Sequence, residues 1–600
     1  MLFMSPFYHH RLRSHTVTTK TLVVSILAAL SLSACSSQQS VMTASDNSSR
    51  VLESEAGLIE APVVVSAPVA QNSKRSQVPS PSINRANTLY DISSGPAVIR
   101  PAPIVVVEPA GDNYQKNIAN PINRTLDNPV ATLSIDTDTG SYSNVRRYLN
   151  EGQLPPADAV RVEEMINYFP YDFSNSQRLG QAPFVVETEI VDSPWDRVDQ
   201  ANQILKVGIK AIDPAQYTRS ARAQLPAANL VFLVDVSGSM RSSDKLTLAK
   251  ATLNLLAKQL RAQDTISIVT YSGSTRVALA PTSGSETATI QAAVNSLKAA
   301  GSTNGEDALK LAYEQASKTL KEGSINRILM LTDGDFNVGI SDVDEMMDLV
   351  KANRDRGISL STLGFGRGNL NDYMMEQIAD NGNGNYSYID SLSEAKKVLD
   401  NELNATFNTV ASDVKIQLEF NPAHVDEWRL IGYENRLLAE QEFNNDKVDA
   451  GELGAGKAVV ALFEITPRGE KGAIAPRRYA DNTQALANNS NNKELGFLKI
   501  RYKATPQASS KLLELPITTV NKRVSLMSAH PDTQFAVAVA SFGQRLQQSP
   551  YINDWQYSDS TQLANQSLSY QTVDDANGLR RGFVELTQLA EALQPVINKQ

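Results

Sequence analysis

Residues 229–240 read NLVFLVDVSGSM. Leu230 to Val234 form an unbroken apolar run, and Asp235 ends it abruptly. A continuous apolar strand is the signature of one buried on both faces, as in a parallel sheet covered by helices. The acidic stop then puts a carboxylate at the carboxyl end of that strand. The pattern outward from this point fits the same reading. DKLTLAKATLNLLAKQL (244–260) sets Leu246, Ala249, Leu253, Leu256, Ala257 and Leu260 on one helical face. TISIVTYS (265–272) and RVALA (276–280) read as strands. ETATIQAAVNSLKAA (286–300) and EDALKLAYEQASKTL (306–320) read as helices. NRILMLTD (326–333), ISLSTLGFG (358–366) and NYSYID (385–390) are further strands. VDEMMDLVKANRDRG (343–357) and NDYMMEQIAD (371–380) are the helices between them. Such alternation predicts an α/β domain with a mainly parallel sheet flanked by helices.

Ligands of such sheets bind at the carboxyl ends of the strands. Three groups of oxygen-bearing side chains fall there: Asp235, Ser237 and Ser239 after the first strand, Thr303 in the loop GSTNG (301–305), and Asp333 in TDG (332–334). Two carboxylates and three hydroxyls are hard oxygen donors. They suit Mg²⁺ or Mn²⁺ and not soft metals.

These five positions, in order and spacing, resemble the metal-ion-dependent adhesion site of von Willebrand factor type A domains, with the likeness covering 228–405. The resemblance implies a Rossmann-like fold. It implies that Ser237 and Ser239 bind the ion directly, that Thr303 does so directly or through water, and that Asp235 and Asp333 act largely through water. The implied ion is Mg²⁺, with Mn²⁺ or Ca²⁺ as substitutes. The implied partner is a protein that offers an Asp or Glu carboxylate to the open position.

Composition narrows the alternatives. The chain has 600 residues and a formal charge of −9, which argues against nucleic acid as a partner. Its one cysteine, Cys35, excludes internal disulfides and multi-cysteine metal sites. Outside the first 34 residues the only histidines are His424 and His530, so a zinc enzyme or Ser-His-Asp hydrolase has almost nothing to work with.

The first 34 residues carry Arg11, Arg13 and Lys20 and no acid. The apolar run TLVVSILAALSL (21–32) follows, too short to cross a bilayer and of the right length for a signal-peptide core. It ends in Leu32-Ser33-Ala34-Cys35, which resembles the lipobox of bacterial lipoproteins. That resemblance implies cleavage before Cys35 and acylation of its thiol. With Ser36 next, it implies the outer membrane of a Gram-negative bacterium. Several acyl chains give stable anchoring. Cleavage would take the charge to about −12, since three cations and no acid leave with the leader.

Residues 35–127 are rich in Ser, Ala, Pro and Asn and lack sustained periodicity, the composition of a flexible linker. About 90 such residues have a root-mean-square reach of roughly 50–60 Å. Residues 128–222 follow: strand NPVATLSID (128–136), helix SYSNVRRYLNEG (141–152), a helical stripe at Val162, Met165, Ile166 and Phe169, then strands PFVVETEIV (183–191) and ILKVGIKAI (204–212). This stretch resembles the small domain that precedes the type A domain in a group of bacterial lipoproteins. Residues 410–522 are strand-rich, in DVKIQLEF (413–420), KAVVALFEI (457–465) and ELGFLKIRYKA (494–504). VDAGELGAGKAVVALFEI (448–465) resembles the domain that closes the same group. Residues 523–600 read as helices. The order of segments predicts that the strands of 183–213 and 410–520 join in one β-sandwich, with the metal domain inserted between them.

Two other motifs are set aside. Gly451 to Lys457 has P-loop spacing, but Ala458 stands where Ser or Thr must meet Mg²⁺, and a strand follows instead of a helix, so no nucleotide is expected. Asp136-Thr137-Asp138 is spaced like a phosphatase nucleophile motif, but Gly140 departs from that pattern, and a structural or capping role is expected. Asp342 and Asp344 suit a helix start. The favoured reading is a non-enzymatic, metal-dependent protein-interaction module at the cell envelope. An assembly scaffold whose metal only stabilises, and a metal-assisted hydrolase, are the two alternatives.

Overall fold

The computed structural model describes residues 111–196, 199–212, 226–302, 305–321, 323–334, 343–402, 408–475, 477, 493–570 and 575–594. Cys35, Thr303 and Asp342 lie outside the described residues, as do the leader and residues 35–110; residues 111–127, read from sequence as flexible linker, are instead held to the fold, with Asn123 and Arg124 paired to Trp428 and Glu427. Among the described residues, no helix is long and apolar enough to cross a membrane.

The first part of the described chain holds β1 (Asn123–Arg124), β2 (Val130–Ser134), α1 (Gly140–Asn150), α2 (Val162–Asn167), β3 (Gln177–Arg178), β4 (Phe184–Asp192) and β5 (Gln203–Ala211). The inserted domain follows with β6 (Ala228–Asp235), α3 (Leu248–Ala257), β7 (Thr265–Tyr271), β8 (Thr275–Ser283), α4 (Thr287–Ser296) and α5 (Glu306–Lys318). It continues through β9 (Ile325–Thr332), α6 (Val343–Arg354), β10 (Ser359–Phe365), α7 (Asp372–Asn381), β11 (Tyr386–Ile389) and α8 (Leu392–Lys397). Last come β12 (Thr409–Phe420), β13 (Val425–Ile431), β14 (Leu453–Gly454), β15 (Ala458–Pro467), β16 (Glu494–Lys503) and β17 (Lys511–Thr518), then helices α9 (Pro531–Leu546), α10 (Tyr557–Leu568) and α11 (Leu579–Ala592).

The inserted domain has one sheet, ordered β11-β10-β9-β6-β7-β8. All its pairings are parallel except β7 with β8. Strand β6 lies between β9 and β7, and every one of its residues is buried. Its alternation feeds two cores: Leu230, Phe232 and Val234 pack on one face of the sheet, and Val231 and Leu233 on the other. The chain leaves β6 toward β7 and returns on the opposite side at β9, so the sheet reverses its winding at β6. This is where open α/β sheets form their ligand crevice.

The segments on either side of the insertion share two sheets. Strand β5 pairs antiparallel with β15, from Lys210 opposite Ala458 to Gln203 opposite Ile465. Strand β2 pairs with β12 in the second sheet. One core lies between the sheets and draws on both sides of the insertion, with Phe184, Val207 and Ile209 against Leu418, Phe463 and Leu498. The helices are joined likewise. Val162, Met165, Ile166 and Phe169 are all buried with α9–α11, and Phe169 meets Phe535 and Phe583 edge-on, with centroids 4.9 and 5.8 Å away. The segment Gly451–Lys457 leads into strand β15.

A buried charge cluster bolts the inserted domain to this frame. Arg436, just past β13, lies 3.1 Å from Asp136, 3.3 Å from Asp138 and 2.5 Å from Asp380 of α7. Arg161 pairs with Glu164 on its own side and with Asp372 of α7. Asp138 also accepts from the backbone N–H of Tyr386, at 3.0 Å. The Asp136-Thr137-Asp138 motif is thus structural, tying three regions together. Burial raises the pKa of Asp138 well above the ordinary carboxylate range and pushes Glu164 up to about 8, despite the Arg161 charge beside it.

Candidate metal centre

Asp235 ends β6 and is fully buried. One of its carboxylate oxygens accepts from the Ser237 backbone N–H at 2.8 Å, and the other accepts from the Thr332 hydroxyl at 3.1 Å. The first bond folds the chain back after the strand. Ser237 then stands with its Oγ 2.8 Å from that of Ser239. Burial, with the charge of Asp333 behind it, pushes the Asp235 pKa up to about 7.

The loop after α4 closes on these serines. Gly238 N–H donates to the Gly301 carbonyl at 2.9 Å, and Ala300 N–H donates to the Val236 carbonyl at 2.8 Å. Gly301 has φ +86°, and a Cβ there would stand 3.1 Å from the Gly273 nitrogen, so glycine answers both demands. These bonds bring Ala300 and Gly301 to the edge of the turn that carries Ser237 and Ser239.

Asp333 follows β9 and is also fully buried. It faces a cation that the pattern reading had not singled out: Lys245 Nζ is 3.0 Å from Asp333 Oδ2 and 2.7 Å from Asn369 Oδ1. A wide turn of π-helical pitch, Ser243–Thr247, precedes α3 and holds Lys245 inward, leaving it 6% exposed. The loop after β10 encloses it. Gly366, at φ +70°, lies so close that a Cβ would stand 2.2 Å from Lys245 Cγ. The outer side of this loop is pinned by Asp112, which accepts from Gly368 N–H at 2.8 Å and Leu370 N–H at 3.1 Å.

Four of the five positions expected from sequence, Asp235, Ser237, Ser239 and Asp333, therefore meet at the carboxyl ends of β6 and β9. The fifth, Thr303, lies outside the described residues. The donors fit a small hard cation. Cis oxygens around an octahedral ion with bonds of 2.0–2.1 Å stand about 2.9 Å apart, close to the 2.8 Å between the two serine hydroxyls. Among the described residues, no three of His, Cys, Asp or Glu stand in metal-holding geometry. Any ion here would depend on hydroxyls and water as much as on charge.

Comparison with known proteins identifies the class of the inserted domain. A family model described as von Willebrand factor type A domain matches residues 229–401, and one described as von Willebrand factor matches 108–205. A third, described as Uncharacterized protein YfbK, C-terminal, matches 405–593. The YfbK protein of Escherichia coli (strain K12) is 47% identical over 497 residues, covering 82% of this chain and 83% of its own. The chain belongs to the YfbK family. A more distant relative, sll0103 of Synechocystis, is 31% identical over 198 residues, covering 33% of this chain and 46% of its own. Among solved structures, a von Willebrand factor type A protein from Catenulispora acidiphila aligns with 66% of this chain and 89% of its own, at 17% identity and a TM-score of 0.37. The chain thus carries a type A domain, a domain class associated with protein–protein interaction, followed by a C-terminal region that matches the YfbK model.

Proposed function

We propose that this chain is a metal-dependent adhesion module of the bacterial envelope, anchored by lipid at Cys35 and gripping an acidic side chain of a partner protein. The observation that carries the reading is the meeting of the Ser237 and Ser239 hydroxyls, 2.8 Å apart, with two fully buried carboxylates at the switch point of the sheet. Ser237, Ser239 and Thr303 would hold Mg²⁺ or Mn²⁺. Asp235 and Asp333 would orient its waters. A divalent ion so held supplies an electrophilic position that one carboxylate oxygen of the partner fills. Among the described residues, the side chains around the site offer no histidine base and no activated nucleophile, which favours binding over hydrolysis.

The test is capture of envelope proteins by the full lipidated chain in detergent, in Mg²⁺ and in chelator, with Asp333→Ala as control. The expected result is a partner retained only with metal and intact Asp333. Equal capture in all conditions by folded proteins would remove the metal bridge. For the anchor, Cys35→Ala is expected to abolish palmitate incorporation and move the protein out of the membrane fraction.

A further inference from the structure

We infer that Lys245 is the residue that makes metal loading of this site depend on an acidic ligand. The inference rests on the metal reading above and deepens it. The charges decide the matter. Two buried carboxylates, Asp235 and Asp333, would leave an ion-free site at −2 when both are ionised, a costly state inside a protein. Lys245, with its ammonium 3.0 Å from Asp333, brings this to −1 without any ion. A divalent cation added to the same groups brings the total to +1. That surplus is the charge of one carboxylate.

Lys245 therefore works in both directions. It holds the ion-free site together, so that the fold does not need metal. It also repels a metal that arrives alone, because the ammonium is buried and its field is weakly screened. An anionic ligand arriving with the metal cancels the excess. The ammonium is built into place: Asn369 accepts its second hydrogen bond at 2.7 Å, and Gly366 leaves room for its stem where any larger residue would collide. A lysine present only to cover the site would not need a dedicated amide acceptor and a glycine-shaped channel.

The experiment is Mn²⁺ binding to the full chain, followed by calorimetry and by the loss of the free-ion paramagnetic resonance signal, with and without acetate as the carboxylate probe. In the native protein Mn²⁺ is expected to bind weakly alone and much more tightly with acetate. Lys245→Met is expected to bind Mn²⁺ at least about tenfold more tightly without acetate and to lose most of the acetate enhancement. Lys245→Arg, which keeps the charge, is expected to behave as the native chain does. Asn369→Asp keeps the ammonium but gives it a carboxylate partner. It is expected to tighten Mn²⁺ binding in the same sense, and it serves should Lys245→Met fail to fold. If the native chain takes up Mn²⁺ and neither Lys245→Met nor Asn369→Asp binds it more tightly, Lys245 is only structural and the metal reading stands without it. If the native chain takes up no Mn²⁺ with or without acetate, both readings fall together.

Discussion

Two places in this molecule bury carboxylates several at a time, and they do opposite things with them. At the junction between the inserted domain and the sandwich, Asp136, Asp138, Asp372 and Asp380 meet two arginines whose forks reach several acids each. At the end of β6 and β9, Asp333 meets a single lysine, while Asp235 is held by the Ser237 amide and the Thr332 hydroxyl. At the junction the arginine forks bond the acids directly, and burial raises the pKa of Asp138 and Glu164, so part of the excess negative charge is carried as protons. The metal centre is left short of one charge in either state. Buried acids placed among guanidinium forks act as a weld, whereas the same acids beside a single ammonium and two serines form a socket.

The largest effect that would sharpen this contrast is at the junction. Arg436→Ala strands Asp136, Asp138 and Asp380 without their shared cation, and a loss of about 3–5 kcal/mol of stability is expected in urea unfolding. A loss below about 1 kcal/mol would mean the acids neutralise by protonation, and that the weld is not ionic.

The second effect concerns pH. Glu164 has its pKa pushed up to about 8 in the folded chain by burial, while an unfolded glutamate titrates near 4.3. Between these values the native state binds the extra proton, so stability falls as pH rises through that window. Glu164→Gln is expected to flatten the slope by up to one proton, about 1.4 kcal/mol per pH unit, in melting curves taken from pH 5 to 8. An unchanged slope would show that Arg161 keeps Glu164 ionised.

The smallest effect belongs to the socket. Chelation is expected to cost only about 0.4 kcal/mol when the metal had been present at its own Kd. A loss of several kcal/mol on adding chelator would erase the distinction and make the metal a staple.

What was legible in the sequence follows from how local each signal is. The apolar run into Asp235, the serines after it and the TDG after β9 are each written within a few residues. Strand alternation then puts them at the same end of one sheet. The inserted order of segments was also readable, because the run of strands ending near residue 212 gives way to strand–helix alternation and resumes near 410. Lys245 was not readable. It sits at the flank of the stripe that begins with Leu246 and Ala249, where a lysine stem can lie along the core with its head in water, and the turn that brings it inward shows no breaker residue. Its partner Asn369 lies on a loop more than a hundred residues away. The junction has the same problem at greater range: Asp136 and Asp138 follow a strand, as the sequence indicates, but the arginine that explains them is Arg436.

The pairing of β5 with β15 also dictates an order of events during synthesis. Strands β4 and β5 emerge early as a hairpin, and the outer edge of β5 is filled only by residues 458–467. About 250 residues, the whole metal domain among them, are made before that partner exists. Until then β5 presents a row of unpaired backbone groups, the kind of edge that recruits wrong partners. The parallel domain therefore folds first as an independent body, and the sandwich closes last around its two ends. A nascent chain stalled near residue 440 would hold a finished socket on an open frame.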